Sequence, residues 1–202
     1  MTKLGRPVVM SAEDRRKEIF VIAEQLFGEK GFEHVTMSEI ATAVGMSKKT
    51  LYVHFADKRE LLKSLVASSY IWSQESFQSV DEHPIKALKS RLKMVAEHVL
   101  SARHIKLCRL AIAERVGIDG LSDTFYEMGI STSRNHLIEA IEQIDSAYYV
   151  LPLKAEVLAD TLFGATIAKP FIDLLLVDRQ VDMQHIIQTI DQVVQAMFKI
   201  DA

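Results

Sequence analysis

A single cysteine, Cys108, stands in 202 residues, so no internal disulfide is available and a reducing compartment is the natural setting. With only 4 prolines and 8 glycines, the chain has too few turn formers for a loop-rich or all-β protein. No stretch approaches the roughly 18 uninterrupted apolar residues that mark a membrane span, so none is expected. The first residues contain no apolar core of a secretory signal, which points to a cytoplasmic protein. Catalytic patterns are equally scarce. There is no His-Glu-x-x-His, no phosphate-binding loop and no Gly-x-Ser-x-Gly. A helical di-metal centre requires two Glu-x-x-His motifs, and the nearest approach, Asp182-x-x-His185, stands alone. No enzyme activity, metal or cofactor is therefore expected.

What the chain does contain is apolar residues arranged at helical spacing. Hydrophobic residues make up 49% and charged residues 25%, enough for a sizeable core. The net charge of −3 is unevenly divided. Residues 1–60 carry 10 Lys+Arg against 9 Asp+Glu, and residues 61–202 carry 14 against 18. Any affinity for nucleic acid must come from a local patch: Lys48, Lys49, Lys58, Arg59 and the N-terminal arm.

The most informative stretch is Thr36 to Lys58, TMSEIATAVGMSKKTLYVHFADK. Thr36 with Glu39 forms a capping box that starts a helix. Ile40, Ala41 and Val44 give this helix a buried face, and Gly45 takes the left-handed turn that ends it. Ser47 caps a second helix over Lys48 to Phe55, and Asp57 with Glu60 opens another. Two short helices joined by a Gly-containing turn define a helix-turn-helix, a geometry that also occurs in proteins that bind no DNA. On the second helix Leu51 and Phe55 share one side and must face the core. Lys49, Thr50 and Val53 point the opposite way, with Tyr52 and His54 on the flanks. A helix seated in a major groove places outward residues at base edges and flanking residues at phosphates.

The run T-x-x-x-I-A-x-x-x-G-x-S-x-x-T-L-Y-x-H-F-x-x-K resembles the DNA-binding signature of the TetR/AcrR family of bacterial transcriptional regulators. Thr36, Ile40, Ala41, Gly45, Ser47, Thr50, Leu51, Tyr52, His54, Phe55 and Lys58 stand in its register. Val44 replaces a common alanine, and Lys49 replaces a small residue in a way that could shift which bases are read. The likeness covers about the first 70 residues. It implies a dimeric repressor that binds double-stranded operator DNA and is released by a small apolar effector. Lys49, Thr50 and Val53 are then assigned to bases. Thr36, Ser47, Lys48, Tyr52, His54 and Lys58 are assigned to phosphates, and Ser38 matches a family position that can reach a base. Gly5-Arg6-Pro7 is similar to short arms that place an arginine in a narrow minor groove, although three residues are a weak match and an unstructured tail is the simpler reading.

The expected fold class is all-α, with about nine helices in two domains. Residues 1–10 form an arm, 11–70 the DNA-binding domain and 71–202 a larger ligand-binding and dimerisation domain. The first long helix starts at Ser11, buries Ile19, Ile22, Ala23, Leu26 and Phe27, and ends at Gly31. The fourth runs from about 58 to 80. Further helices are expected at about 84–101, 103–116, 122–145 with Ser122 as cap, 152–177 with Pro152 at its start and a kink at Pro170, and 182–199. The last two carry apolar faces suited to a four-helix homodimer interface. Trp72, Phe77, Met94, His98, Cys108, Phe125 and Tyr126 are candidates to line an effector pocket, although Cys108 also reads as an inert buried thiol. The alternative is a helical regulator that acts through protein contacts or without an effector.

Overall fold

Polar side chains and glycines set the helix boundaries of the first sixty described residues. The computed structural model describes residues 11–70, 83–114, 117–177 and 179–199, which form two compact units divided between Leu65 and Val66. In the first unit α1 spans Ala12–Lys30, with the Ser11 hydroxyl accepting from the Asp14 amide. Gly31 ends it at φ 80°, a region open to glycine. The second helix, α2 (Met37–Val44), starts with the Thr36 hydroxyl on the Glu39 amide and ends at Gly45 with φ 74° and ψ 31°. The Met46 amide donates to Ala41 O and the Gly45 amide to Thr42 O, the paired bonds of a Schellman stop. Ser47 caps α3 (Lys48–His54) through the Thr50 amide. Asp57 then starts α4 (Lys58–Ser69) by accepting from the Glu60 amide at 2.8 Å.

These helices close over Ile19, Ala23, Phe27, Ile40, Leu51 and Phe55, all buried. Phe20 is buried as well, whereas Ile22 and Leu26 are only partly covered. Phe32 and Val35, in the loop between α1 and α2, are buried too.

In the second unit α5 (Pro84–Val99) and α6 (Ala102–Ala113) are capped by His83 and Ser101. A third helix, α7, is continuous through Leu121–Phe125, a π-helical stretch Tyr126–Ser131, and Thr132–Glu142. The next, α8, runs through Ala155–Phe163, a second π-helical stretch Gly164–Ala168, and Lys169–Leu176. The last, α9, spans Met183–Met197. Nine helical rods among the described residues give an all-α architecture. The core lies between α5, the later part of α7, α8 and α9, with Leu88, Leu92, Ile141, Leu158, Leu162, Ile190 and Val194 buried in it.

Several boundaries differ from the sequence reading. α7 starts at Leu121 behind Gly120, whose φ of 71° makes the turn by backbone alone, so Ser122 caps nothing. α8 starts at Ala155, which leaves Pro152 in the lead-in outside the helix. One turn before Pro170 the chain takes π-helical geometry. An added residue in the turn there relieves the ring's clash with the preceding turn and its missing donor. Asp182, the acidic half of the isolated Asp-x-x-His pair, is the N-cap of α9 and accepts from the Gln184 and His185 amides. The part of the fourth helix expected beyond Tyr70 lies outside the described residues, as do the N-terminal arm and Arg6.

Candidate nucleic-acid interface and internal cavity

The two short helices hold one another through the first unit's core, and this fixes which side of α3 faces out. Leu51 is fully buried and Val53 is 79% exposed. A valine so exposed contributes nothing to the core. Lys49, Thr50 and Tyr52 are also exposed, and His54 is half-buried. The Ser47 hydroxyl accepts from the Thr50 amide at 3.0 Å and lies 2.7 Å from the Thr50 hydroxyl. Lys48 Nζ sits 5.8 Å from the Tyr52 ring centroid, one turn further along the helix. On α2 Thr36 is exposed as the cap, and Ser38 is exposed with its carbonyl accepting from the Thr42 hydroxyl. The sequence-assigned residues other than Arg6 thus lie on α2, α3 and the start of α4.

Lys58, the expected phosphate residue of α4, makes contacts within its own unit. Its ammonium donates to Phe32 O at 2.6 Å and to Glu33 O at 3.3 Å, and lies 4.2 Å from the Phe32 ring centroid. Two of its three donors therefore close the α1–α2 loop. Sequence reasoning also missed Arg16. Its guanidinium stands 4.5 Å from the Phe55 ring centroid and 5.7 Å from that of Phe20, and donates to His54 O at 3.1 Å. It locks α1 onto the end of α3. Its position one helical turn before Ile19 and Phe20, in line with the apolar stripe of α1, was the available signal, because long basic side chains cover apolar surface from such places.

The second unit contains a partly open cavity of about 410 Å³. Its lining includes Tyr70, His98, His104 and Phe125 together with Ile130, Leu137, Phe163 and Phe171. Gly129 belongs to the lining because Tyr70 leaves no room for more: a Cβ there would lie 2.6 Å from the Tyr70 ring. His98 and His104 have ring centroids 4.8 Å apart, and Tyr70 meets His104 edge-on at 5.5 Å. Arg134 and Asp160 stand at the lining with a two-pronged ion pair, 2.7 and 3.1 Å. That pair lowers the Asp160 carboxyl pKa, chiefly through the hydrogen bond from Arg134.

Burial sets the protonation of the cavity's groups. It lowers the pKa of His104 to about 4, with the neighbouring His98 adding to the effect. It also lowers His98, with Arg103 contributing. The Tyr70 phenol is pushed well up. Both imidazoles and the phenol are therefore neutral at neutral pH.

Of the pocket residues expected from sequence, His98 and Phe125 line the cavity. Trp72 and Phe77 lie outside the described residues. Met94 is half-buried elsewhere, Tyr126 is 55% exposed, and Cys108 is buried with its thiol pKa pushed up to about 12 by burial. None of these three lines the cavity. The sequence reading missed Tyr70, His104, Arg134, Phe163 and Phe171, since nothing in their local pattern separates cavity wall from core. No group of three or more metal-binding side chains is assembled among the described residues, and no helix described is long and apolar enough to cross a membrane.

A capped two-helix hairpin with a polar, basic outer face defines a helix-turn-helix unit of the kind that binds DNA. Residues 19–65 match the sequence model of the family "Bacterial regulatory proteins, tetR family". The first unit thus carries the DNA-binding sequence of the TetR family of transcriptional regulators. The HTH-type transcriptional repressor BepR of Brucella suis biovar 1 (strain 1330) is 33% identical over 64 residues, which cover 32% of this chain and 31% of that protein. An HTH-type transcriptional regulator of Staphylococcus aureus (strain USA300) is 44% identical over 50 residues, covering 25% and 27%. The chain thus spans less than a third of the length of either relative. Over nearly the whole chain the fold is that of a TetR-family regulator from Mesorhizobium loti MAFF303099, with a TM-score of 0.78, 22% identity, and 93% and 96% of the two chains covered.

Proposed function

We propose that this protein is a dimeric, sequence-specific DNA-binding repressor of transcription whose second unit takes a small effector. The observation that carries the reading is the orientation of α3. Leu51 and Phe55 are buried, and Lys49, Thr50 and Val53 are turned to solvent on one side. Lysine can bond guanine O6 and N7, and valine can contact a thymine methyl. Lys49, Thr50 and Val53 take base edges, and Ser38 reaches a base from α2. Thr36, Ser47, Lys48, Tyr52 and His54 take phosphates on either wall, and Arg6 lies in the minor groove. Lys58 supports the loop beneath α2.

A recognition helix of seven residues gains specificity by being used twice. The exposed side of α8 carries Val157, Thr161, Gly164, Ala165, Ile172 and Leu176. This small and apolar face permits close approach of a second copy, together with α9, about a two-fold axis. Two recognition helices would then read half-sites about 34–36 Å apart or a multiple of that. The cavity is the effector site, and an effector lowers operator affinity only by binding the two conformations unequally.

The test is a salt-dependent titration with footprinting on the DNA immediately upstream of the protein's own gene. A protected near-palindrome bound far more tightly than random DNA is the expected result. Equal, weak binding to operator-region and random DNA, with protein freed of small molecules, would count against specific recognition there. A light-scattering mass of one chain at micromolar concentration would end the dimer.

A further inference from the structure

The cavity's own chemistry narrows what can occupy it. Its formally charged lining residues are Arg134 and Asp160, and each is already matched by the other. A ligand carboxylate would have to displace Asp160 from Arg134, and a ligand ammonium would have to displace Arg134 from Asp160. The other polar handles are the Tyr70 and Ser133 hydroxyls and the His98 and His104 imidazoles. All are neutral groups that can both donate and accept.

His104 has the most to gain from a ligand. It is 5% exposed, and its Nδ1 has no hydrogen-bond partner among the described residues. A buried polar atom left in that state is costly. Because burial holds the ring neutral, it calls for an uncharged partner that can donate or accept. The surroundings are aromatic. Tyr70 meets the His104 ring edge-on, Phe125 lies stacked at 6.1 Å, and Phe171 is tilted at 6.2 Å. Such walls favour a flat ring, which can stack or meet edges, over a flexible chain that must lose rotamer freedom to bind.

We propose that the cavity binds a small, neutral aromatic alcohol of the phenol class, whose hydroxyl hydrogen-bonds the His104 imidazole while its ring packs among Tyr70, Phe125 and Phe171. The regulatory consequence rests on the effector reading above; the binding does not, and it is measured without DNA. Full-length protein is titrated by calorimetry at neutral pH with five probes: 4-phenylphenol, 4-methoxybiphenyl, 4-phenylbenzoate, (4-phenylbenzyl)trimethylammonium and 1-decanol.

The phenol binds tightest, by about tenfold over the ether, the size of one net hydrogen bond. His104→Phe brings phenol and ether to equal affinity and leaves ether binding in place. In wild-type protein labelled with nitrogen-15 in its histidines, the His104 ring resonances shift with the phenol and not with the ether, a readout that does not depend on the variant folding. Equal binding of phenol and ether, tighter binding of the benzoate, the ammonium or decanol, or no binding by any probe overturns the proposal. A phenol that binds but leaves operator affinity unchanged keeps this assignment and removes the effector reading. A sound footprint with no probe bound removes this assignment and leaves the DNA-binding reading standing.

Discussion

The two units carry their candidate sites in opposite ways. The first closes its core fully, with Leu51 and Ile40 at zero exposure, and presents chemistry on the outside of α3. The second leaves its core open around a cavity of about 410 Å³ and keeps its chemistry within. An outward site needs only a rigid platform and a few polar residues at the right helical angle. An inward site needs several elements to fall short of one another by a set amount, and it places neutral polar groups among apolar and aromatic walls. Mutations should therefore separate cleanly in the first unit into those that unfold and those that blind. In the second unit stability and binding should remain entangled.

The largest effect tests the closed core. Leu51→Ala should cost about 2–5 kcal/mol, as for other fully buried leucines, and abolish DNA binding by unfolding; urea denaturation reads it. Lys49→Ala, on the opposite side of the same helix, should leave the denaturation midpoint unchanged, so a shared stability loss would break the division.

The next effect belongs to the cavity and depends on pH. The His104 pKa falls from an ordinary 6.5 to about 4 on folding, so in this range the unfolded chain binds more protons than the folded one. The stability due to the neutral buried ring is therefore complete above about pH 6.5 and is lost as pH falls towards 4. A shift of this size corresponds to at most about 3 kcal/mol. His98, 4.8 Å away and lowered in the same direction, contributes to the same fall. Denaturation midpoints measured from pH 7 to 5 should drop in the wild type and drop less in His104→Phe; parallel slopes would remove His104 as the source.

Smaller effects sharpen the surface site. Lys49→Ala should cost roughly 1–3 kcal/mol at one base pair and relax preference there, whereas equal losses on specific and random DNA would move it to a phosphate. Lys58→Met should lower stability by about 1–2 kcal/mol, from two hydrogen bonds and a cation–ring contact, without changing the salt slope of DNA binding. A slope reduced by about one unit would return Lys58 to a phosphate. Ser47→Ala should cost about 1 kcal/mol through the lost cap, read in the same denaturation series.

How much was legible follows from the same contrast. Caps at Ser11, Thr36, Ser47 and Asp57 and the stop at Gly45 are local chemistry, and each acts as its spacing indicates. The buried and outward sides of α3 follow from helical angle alone. Ser122 and Pro152 carry the same type of signal, yet a backbone turn at Gly120 and a lead-in before Ala155 override them. Arg16 was hidden because its partners, Phe55 and His54 O, lie 39 and 38 residues away along the chain.

The sequence by itself determined the all-helical class, the helix-turn-helix and its outward residues, because hydrogen bonds within a few residues and a 3.6-residue period decide them. Only the tertiary structure decided that His98 and His104 meet, that Tyr70 lies against Gly129, that Arg134 and Asp160 pair, and that Cys108 stands apart from the cavity. Those facts depend on how Tyr70 and α5 to α8 pack across long separations in the chain, and a void between helices leaves no periodic trace in any one of them.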